Sequence, residues 1–344
     1  MALLVDRSGQ AMLWTGDRSC SGASPVPVPK EALHLALVIN MPDSAVTDTE
    51  EQFFGLLERA ADDRLLHVRL YSLPGIPRGE KTLAYIGDCY GNFEELLGRK
   101  FDGVIVTGTE PKQSDLRQEP YWGQLSALLD WAAENSYSAV LSCLAAHAGV
   151  LHSDGIGRSP LGDKRFGVFD HKVTNGHALT KGVRDPMRIP HSRWNEVRET
   201  ALRESGYSVL TKSEDAGVDL FVKEKRNSLF VHFQGHPEYQ GCTLFKEYRR
   251  DIKRYLRRER ENYPLVPQGY FDESATGLLT DFRTLAEAQR SEETIELFPQ
   301  CVADTLQHSW KDSAVRVYRN WLAYVAARKA DQPKSVSIAH ASGI

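Results

Sequence analysis

Residues 139–149 read AVLSCLAAHAG: a short apolar run ends at Ser142, a cysteine follows, and small residues surround one histidine. A strand that runs straight into a close-packed helix is the joint of an α/β sheet, and the site of such a sheet lies where its strands end. The joint also suits a nucleophile. A sharp strand-to-helix turn exposes the side chain at its apex. The first helical N–H groups are unpaired, and their positive end favours a thiolate. The N–H of Leu144 then faces an oxyanion formed on an attacked carbonyl. Ala145, Ala146, Ala148 and Gly149 let the helix pack closely. The other reading of Cys143 is an inert core thiol, and position alone leaves both open.

Working outward, the same alternation recurs. LHLALVIN at 33–40 is a nearly continuous apolar run, as in a strand buried on both faces. TDTEEQFFGLLERAADD at 47–63 reads as a helix, with Thr47 or Thr49 as cap, acids in the first turn and Phe53, Phe54, Leu56 and Leu57 on one side. LHVRLYSL (66–73), FDGVIVTG (101–108) and SAVLS (138–142) read as strands, and YWGQLSALLDWAAENS (121–136) as a helix. Strand–helix alternation predicts a parallel sheet covered by helices. Beyond 160 the strand-like KRFGVFDHKV, GYSVLTKS, GVDLFVKEK and NSLFVHFQG are separated by short turns, which predicts an antiparallel part. A charged helix is expected over 243–261, and two more over about 274–292 and 312–329. Residues 1–30, with the Ser/Gly/Pro-rich SCSGASPVPVPK, are expected as a flexible tail. A catalytic domain is expected over 31–265, a helical extension packed on it over 266–330, and a second tail over 331–344.

The chain has 344 residues, 41% hydrophobic and 26% charged, and a net charge of -4 from 42 basic and 46 acidic residues. That balance speaks against nucleic acid or an anionic membrane as partner. No apolar run is long enough for a membrane helix, and the N-terminus lacks the pattern of a secretory signal. Five scattered cysteines (20, 89, 143, 242, 301) show no ligand spacing, so no metal is expected, and they fit a reducing, cytoplasmic setting.

GHPEY at 235–239 supplies what Cys143 needs. In an extended segment His236 and Glu238 face the same side. A histidine base oriented by an acid, beside a nucleophile, is the logic of catalytic triads. His147, one helical turn after Cys143, reads as a packing residue, and His171 and His191 as ordinary hydrogen-bonded histidines. No P-loop or dinucleotide fingerprint is present.

Taken together, NMPDSAVTDTEEQF, YGNFEEL, FDGVIVTG, the YW of residues 121–122, Cys143, FGVFDHKV, PHSR at 190–193, GHPEY, EYRRD at 247–251, Trp310 and NWL at 320–322 resemble the homoserine O-acyltransferases, often called homoserine O-succinyltransferases, over about residues 33–328. The resemblance implies a class I glutamine-amidotransferase-like (flavodoxin-like) α/β fold, a parallel-sheet core with helices on both faces and a C-terminal helical extension. It implies that Cys143 takes the acyl group from acyl-CoA, with His236 as base and Glu238 as its partner. Arg250 would hold the amino acid's carboxylate, while Lys164 and Ser192 would line the substrate site. Thr109 would donate the second oxyanion N–H beside Leu144. Lys112 lies near the loop position that separates acetyl from succinyl donors, a lean toward succinyl-CoA. No cofactor is implied beyond acyl-CoA as co-substrate. A homodimer and a role in methionine synthesis are implied.

The chain departs from the family at three places. Asp43-Ser44 follow Met41-Pro42 where the family has lysines. Leu144 and His147 stand where it has Trp and Gln. The loop after Gly108 reads TEPK. These changes leave serine or another hydroxy amino acid open as acceptor in place of homoserine. A Cys-His-Glu glutaminase or hydrolase is a second reading, and a non-catalytic homologue a third.

Overall fold

The computed structural model describes residues 3–7, 9–16 and 25–331. In chain order the strands are β1 (Leu3–Arg7), β2 (Gln10–Leu13), β3 (Leu33–Val38), β4 (Leu66–Tyr71), β5 (Gly103–Val106), β6 (Ser138–Ser142), β7 (Ser159–Val173), β8 (Met187–Glu196), β9 (Ser208–Val209), β10 (Thr211–Ser213), β11 (Gly217–Val218), β12 (Leu220–Lys225) and β13 (Ser228–Phe233). The helices are α1 (Val46–Ala60), α2 (Glu80–Cys89), α3 (Phe93–Leu97), α4 (Trp122–Asn135), α5 (Leu144–Asp154), α6 (Glu199–Glu204), α7 (Thr243–Leu256), α8 (Glu273–Ala288) and α9 (Lys311–Ala330).

The main sheet runs β2-β1-β4-β3-β5-β6-β13-β12-β9. Its centre, β4-β3-β5-β6-β13, is parallel throughout. Numbered along the chain these five strands lie in the order 2-1-3-4-5, the flavodoxin-like arrangement expected from the sequence. Both faces are covered. Phe53, Phe54 and Leu57 of α1 pack with Val317, Trp321 and Val325 of α9 on one side. Leu125, Leu128 and Leu129 of α4 and Leu144, Ala145 and Ala148 of α5 pack on the other. Such two-sided burial explains the unbroken apolar runs of these strands.

The region after 160 divides. β12 and β9 extend the main sheet antiparallel, while β11-β10-β7-β8 form a second, antiparallel sheet. GYSVLTKS, expected as one strand, is split at Leu210 between the two sheets. β9 pairs with β12, and β10 pairs with β7.

Two expectations need correction. The N-terminal segment is not a flexible tail over its described residues. Leu3, Leu4 and Val5 are buried, and β1 lies parallel to β4 with β2 turned back against it. Arg7 fastens this hairpin to Glu50 of α1 at 3.0 Å and to the Tyr85 hydroxyl of α2 at 2.9 Å. Residues 17–24 of the expected tail, and 332–344 of the C-terminal one, lie outside the described residues. The charged helix ends at Leu256 rather than 261, because its apolar positions stop there and Arg258 turns the backbone to φ 62°. The 266–330 extension serves two cores. α8 packs with α7 and Trp310, whereas α9 returns to the parallel sheet.

Candidate active site

Cys143 sits between β6 and α5 with φ 53° and ψ −111°, a conformation that a residue with a Cβ seldom adopts. It is held there from both sides. Its N–H donates to the Phe233 carbonyl at the end of β13 at 2.8 Å, and its carbonyl accepts from Ala146 and His147 to start α5. Gly108 crosses directly over the next peptide, and a Cβ there would lie 2.9 Å from the Leu144 nitrogen. The end of β5 and the start of α5 therefore meet at the expected oxyanion position, with Thr109 next in the chain. Asn40 fixes this edge by three bonds. Its N–H donates to Thr107 Oγ1 at 2.9 Å, its Nδ2 to the Thr107 carbonyl at 3.3 Å, and its Oδ1 accepts from Leu73 at 3.1 Å.

His236 follows the adjacent strand β13. Its N–H donates to the Pro190 carbonyl at 2.8 Å, and Gly235 N–H donates to Asp219 Oδ1 at 2.7 Å. A side chain at 235 would strike Ile189 and the Pro190 carbonyl, so glycine is what lets the turn pass. The His236 Nδ1 lies 2.8 Å from Glu238 Oε1, which also accepts from the Ser142 hydroxyl at 3.2 Å. A proton on Nδ1 leaves Nε2 for the thiol. Burial disfavours the charged ring, yet the Cys143 thiolate and the Glu238 carboxylate outweigh it and hold the imidazole well above its usual range. Tyr239 stacks on the ring at 4.2 Å.

Behind this turn is a buried polar network. Arg193 can only donate, so its Nε–H to His191 Nδ1 at 3.2 Å puts the His191 proton on Nε2. That proton points at His171 Nε2, 3.2 Å away, and His171 Nδ1 lies 3.1 Å from the Phe169 carbonyl. Burial pushes both imidazoles down, so the pair is neutral and its proton order is fixed.

The remaining expected residues fall in two places. Lys164 of β7, Ser192 of β8 and Arg250 of α7 come together around two acids the sequence reading did not single out, Glu247 and Asp251. Ser192 Oγ and the Tyr239 hydroxyl donate to the two oxygens of Glu247 at 2.5 and 2.6 Å. Lys164 pairs with Asp251 at 3.2 Å and Glu247 at 3.7 Å, and Arg250 with Asp251 at 3.1 Å. Glu247 is one helical turn before Arg250, a spacing visible in EYRRD. A cavity of about 570 Å³ borders Lys164 and Asp251 and is lined by Trp194, Arg260 and Arg283, but neither Cys143 nor His236 lines it. Lys112 is not part of this cluster. It is exposed in the loop after Thr109, and its backbone N–H is taken by Glu119 at 2.5 Å.

His147 is a packing residue. Its Nε2 donates to Gln234 Oε1 at 3.0 Å, and burial lowers its pKa to about 3. Asp43, another departure from the family pattern, accepts the Gly79 N–H at 2.7 Å and lies 3.5 Å from Arg78.

The family described as homoserine O-succinyltransferase matches residues 29–332. A homoserine O-succinyltransferase of Methylorubrum extorquens is 43% identical over 310 residues, covering 90% of this chain and 91% of that protein. Those of Rhodopseudomonas palustris and Bradyrhizobium japonicum are each 40% identical, over 86% and 92% of this chain and 89% and 99% of theirs. A glutamine amidotransferase of Thermotoga maritima has a similar solved structure, with a TM-score of 0.48 at 11% identity, over 85% of this chain and 98% of that one.

Proposed function

The chain belongs to the homoserine O-succinyltransferase family, and from that premise we propose that it moves a succinyl group from succinyl-CoA to the side-chain hydroxyl of homoserine through a Cys143 acyl-enzyme. One observation carries the mechanism: the strained Cys143, the His236–Glu238 pair and the Leu144 N–H converge at the ends of adjacent parallel strands.

In the first half-reaction His236 takes the thiol proton and the thiolate attacks the thioester carbon. The Leu144 N–H, with a second donor from the Gly108–Thr109 edge, holds the oxyanion. CoA leaves as a thiolate and is protonated by the imidazolium. In the second, His236 removes the hydroxyl proton of homoserine, the alkoxide attacks the acyl-enzyme, and the Cys143 thiolate departs. Glu238 keeps the ring oriented and favours the imidazolium in both steps. An amino acid presents an ammonium and a carboxylate, and Glu247 with Arg250 offers the complementary pair on one face of α7. No metal or resident cofactor enters these steps. Homoserine is favoured over other hydroxy amino acids because the relatives are homoserine O-succinyltransferases, and the side chains of Asp43, Leu144 and His147 are held in structural contacts. A cytoplasmic homodimer making a precursor for methionine is part of the same reading and rests on the family.

Intact-protein mass spectrometry after brief mixing with succinyl-CoA alone tests it. A gain of one succinyl group, absent in Cys143→Ala and discharged by homoserine rather than serine, is expected. No adduct, or an adduct that water alone discharges, moves the reading to a silent homologue or a hydrolase.

A further inference from the structure

A succinyl group differs from an acetyl group by a free carboxylate, and an enzyme that selects the former needs a cation beside its nucleophile to receive it. That need rests on succinyl transfer being the reaction of Cys143. The cations of the site are mostly committed. Arg193 is 3% exposed, and its guanidinium is spent on His191 Nδ1 and the carbonyls of Asn195 and Ala216. Lys164 is paired with Asp251 and Glu247, and Arg250, beside Asp251, is assigned to the carboxylate of the acceptor.

Arg158 is different. It follows α5, the helix that starts at Cys143, and reaches back to the loop that leaves the oxyanion edge. Its Nη2 donates to the carbonyls of Gln113 and Ser114 at 2.9 and 3.1 Å. Glu119 Oε1 accepts the N–H groups of Lys112 and Gln113 at 2.5 and 2.6 Å, so this loop is fixed from two directions. The Arg158 Nε is buried and has no partner among the described residues. The same holds for the hydroxyl of Tyr121, a residue only 2% exposed. Two unpaired buried donors are costly unless something accepts from them. Arg158 also senses Tyr121, Glu119 and Cys143 electrostatically, each of them offsetting part of the depression that burial imposes on it.

We propose that Arg158 and Tyr121 form the subsite for the free carboxylate of the succinyl donor. The buried Nε–H of the guanidinium offers one charge-assisted donor to a carboxylate oxygen, and the Tyr121 phenol supplies a second. Glu119 does not compete for that donor, since it holds the loop's backbone. On this assignment Arg158, rather than the exposed Lys112, distinguishes succinyl from acetyl.

The test is donor selectivity, the ratio of kcat/KM for succinyl-CoA to that for acetyl-CoA. In Arg158→Met the ratio should fall by about 100-fold, because a buried site built for a carboxylate discriminates strongly. Arg158→Lys should restore part of it. Tyr121→Phe, which keeps the ring packing, should lower the ratio several-fold, and Lys112→Ala should leave it nearly intact. Equal losses with both donors would show that Arg158 only braces the loop, and a ratio controlled by Lys112 would likewise overturn the assignment. A wild-type protein acylated by acetyl-CoA alone would overturn it while leaving the transferase chemistry standing. Acylation by neither donor would sink both.

Discussion

Glu238 spends one oxygen on two bonds, to His236 and to Ser142, while its Oε2 has no partner among the described residues. Its charge is one of the causes that keep the His236 imidazole high. Replacing it by Gln removes that cause and leaves burial to act, so the imidazolium should be lost at lower pH. The alkaline limb of single-turnover CoA release should therefore move toward neutrality in Glu238→Gln. An unmoved limb would remove Glu238 from the triad. Gly108 is the second sensitive residue. Gly108→Ala places a methyl 2.9 Å from the Leu144 nitrogen, where the oxyanion's hydrogen bond must form. A loss of roughly 100- to 1000-fold in kcat with little change in KM is expected, as for removal of an oxyanion donor. Cys143, His236 and Glu238 were legible because their chemistry is local: a turn between a strand and a small-residue helix, and an i, i+2 pair. Glu247 was not, since an acid in a run of mixed charge looks like a solvated helix face until β7 and β8 bring Lys164 and Ser192 to it. Arg158 was invisible for the same reason, its role depending on a loop some forty residues earlier.

The elements show the same division. Strands buried on both faces announced themselves as apolar runs, and their order was implied by the family resemblance. The β1–β2 hairpin did not, because its five- and four-residue strands are short and what fixes them is the distant Glu50. α9 is tied to the sheet by one side chain in particular. Trp321 is 1% exposed, its Nε1 donates to Ser138 Oγ at 2.9 Å, and its ring fills the space left by Gly103. Trp321→Ala should cost about 3–5 kcal/mol in urea unfolding through the cavity it leaves. Trp321→Phe should cost less, mainly the bond to Ser138. A change near zero for the alanine variant would mean that α9 is not part of the cooperative core.

At the scale of the whole molecule, burial keeps several histidines neutral. His147 and His232 are lowered to about 3 and His308 to about 4, with His171 and His191 lowered as well. A group whose folded pKa is depressed binds more protons when unfolded. Stability should therefore fall as pH drops from about 6.5 toward these values, by about 1.4 kcal/mol per pH unit for each group inside its window. His236 acts in the opposite sense. Its folded value is raised, so its contribution is complete below about 6.5 and is lost only as pH rises through the higher folded value. Asp219, raised by burial, also offsets the acid trend within its own range. Urea titrations between pH 4 and 7 should show a steep acid decline, and a flat profile would contradict the neutral buried histidines.

The nucleophile and base stand in the turns that follow β6 and β13, whereas Lys164 and Ser192 stand on a hairpin of the second sheet and Glu247 and Arg250 on α7. The stacked Tyr239 ring, hydrogen-bonded to Glu247, joins the two sets. Parallel register locks the first set, because a one-residue slip would turn every side chain to the wrong face. The second set is carried by other elements, the β7–β8 hairpin and α7. Chemistry and taste can evolve apart: a library confined to positions 164, 192, 194 and 250, which spares the Pro190, His191 and Arg193 support of His236, should yield descendants that still load the thiol yet hand the acyl group to new alcohols.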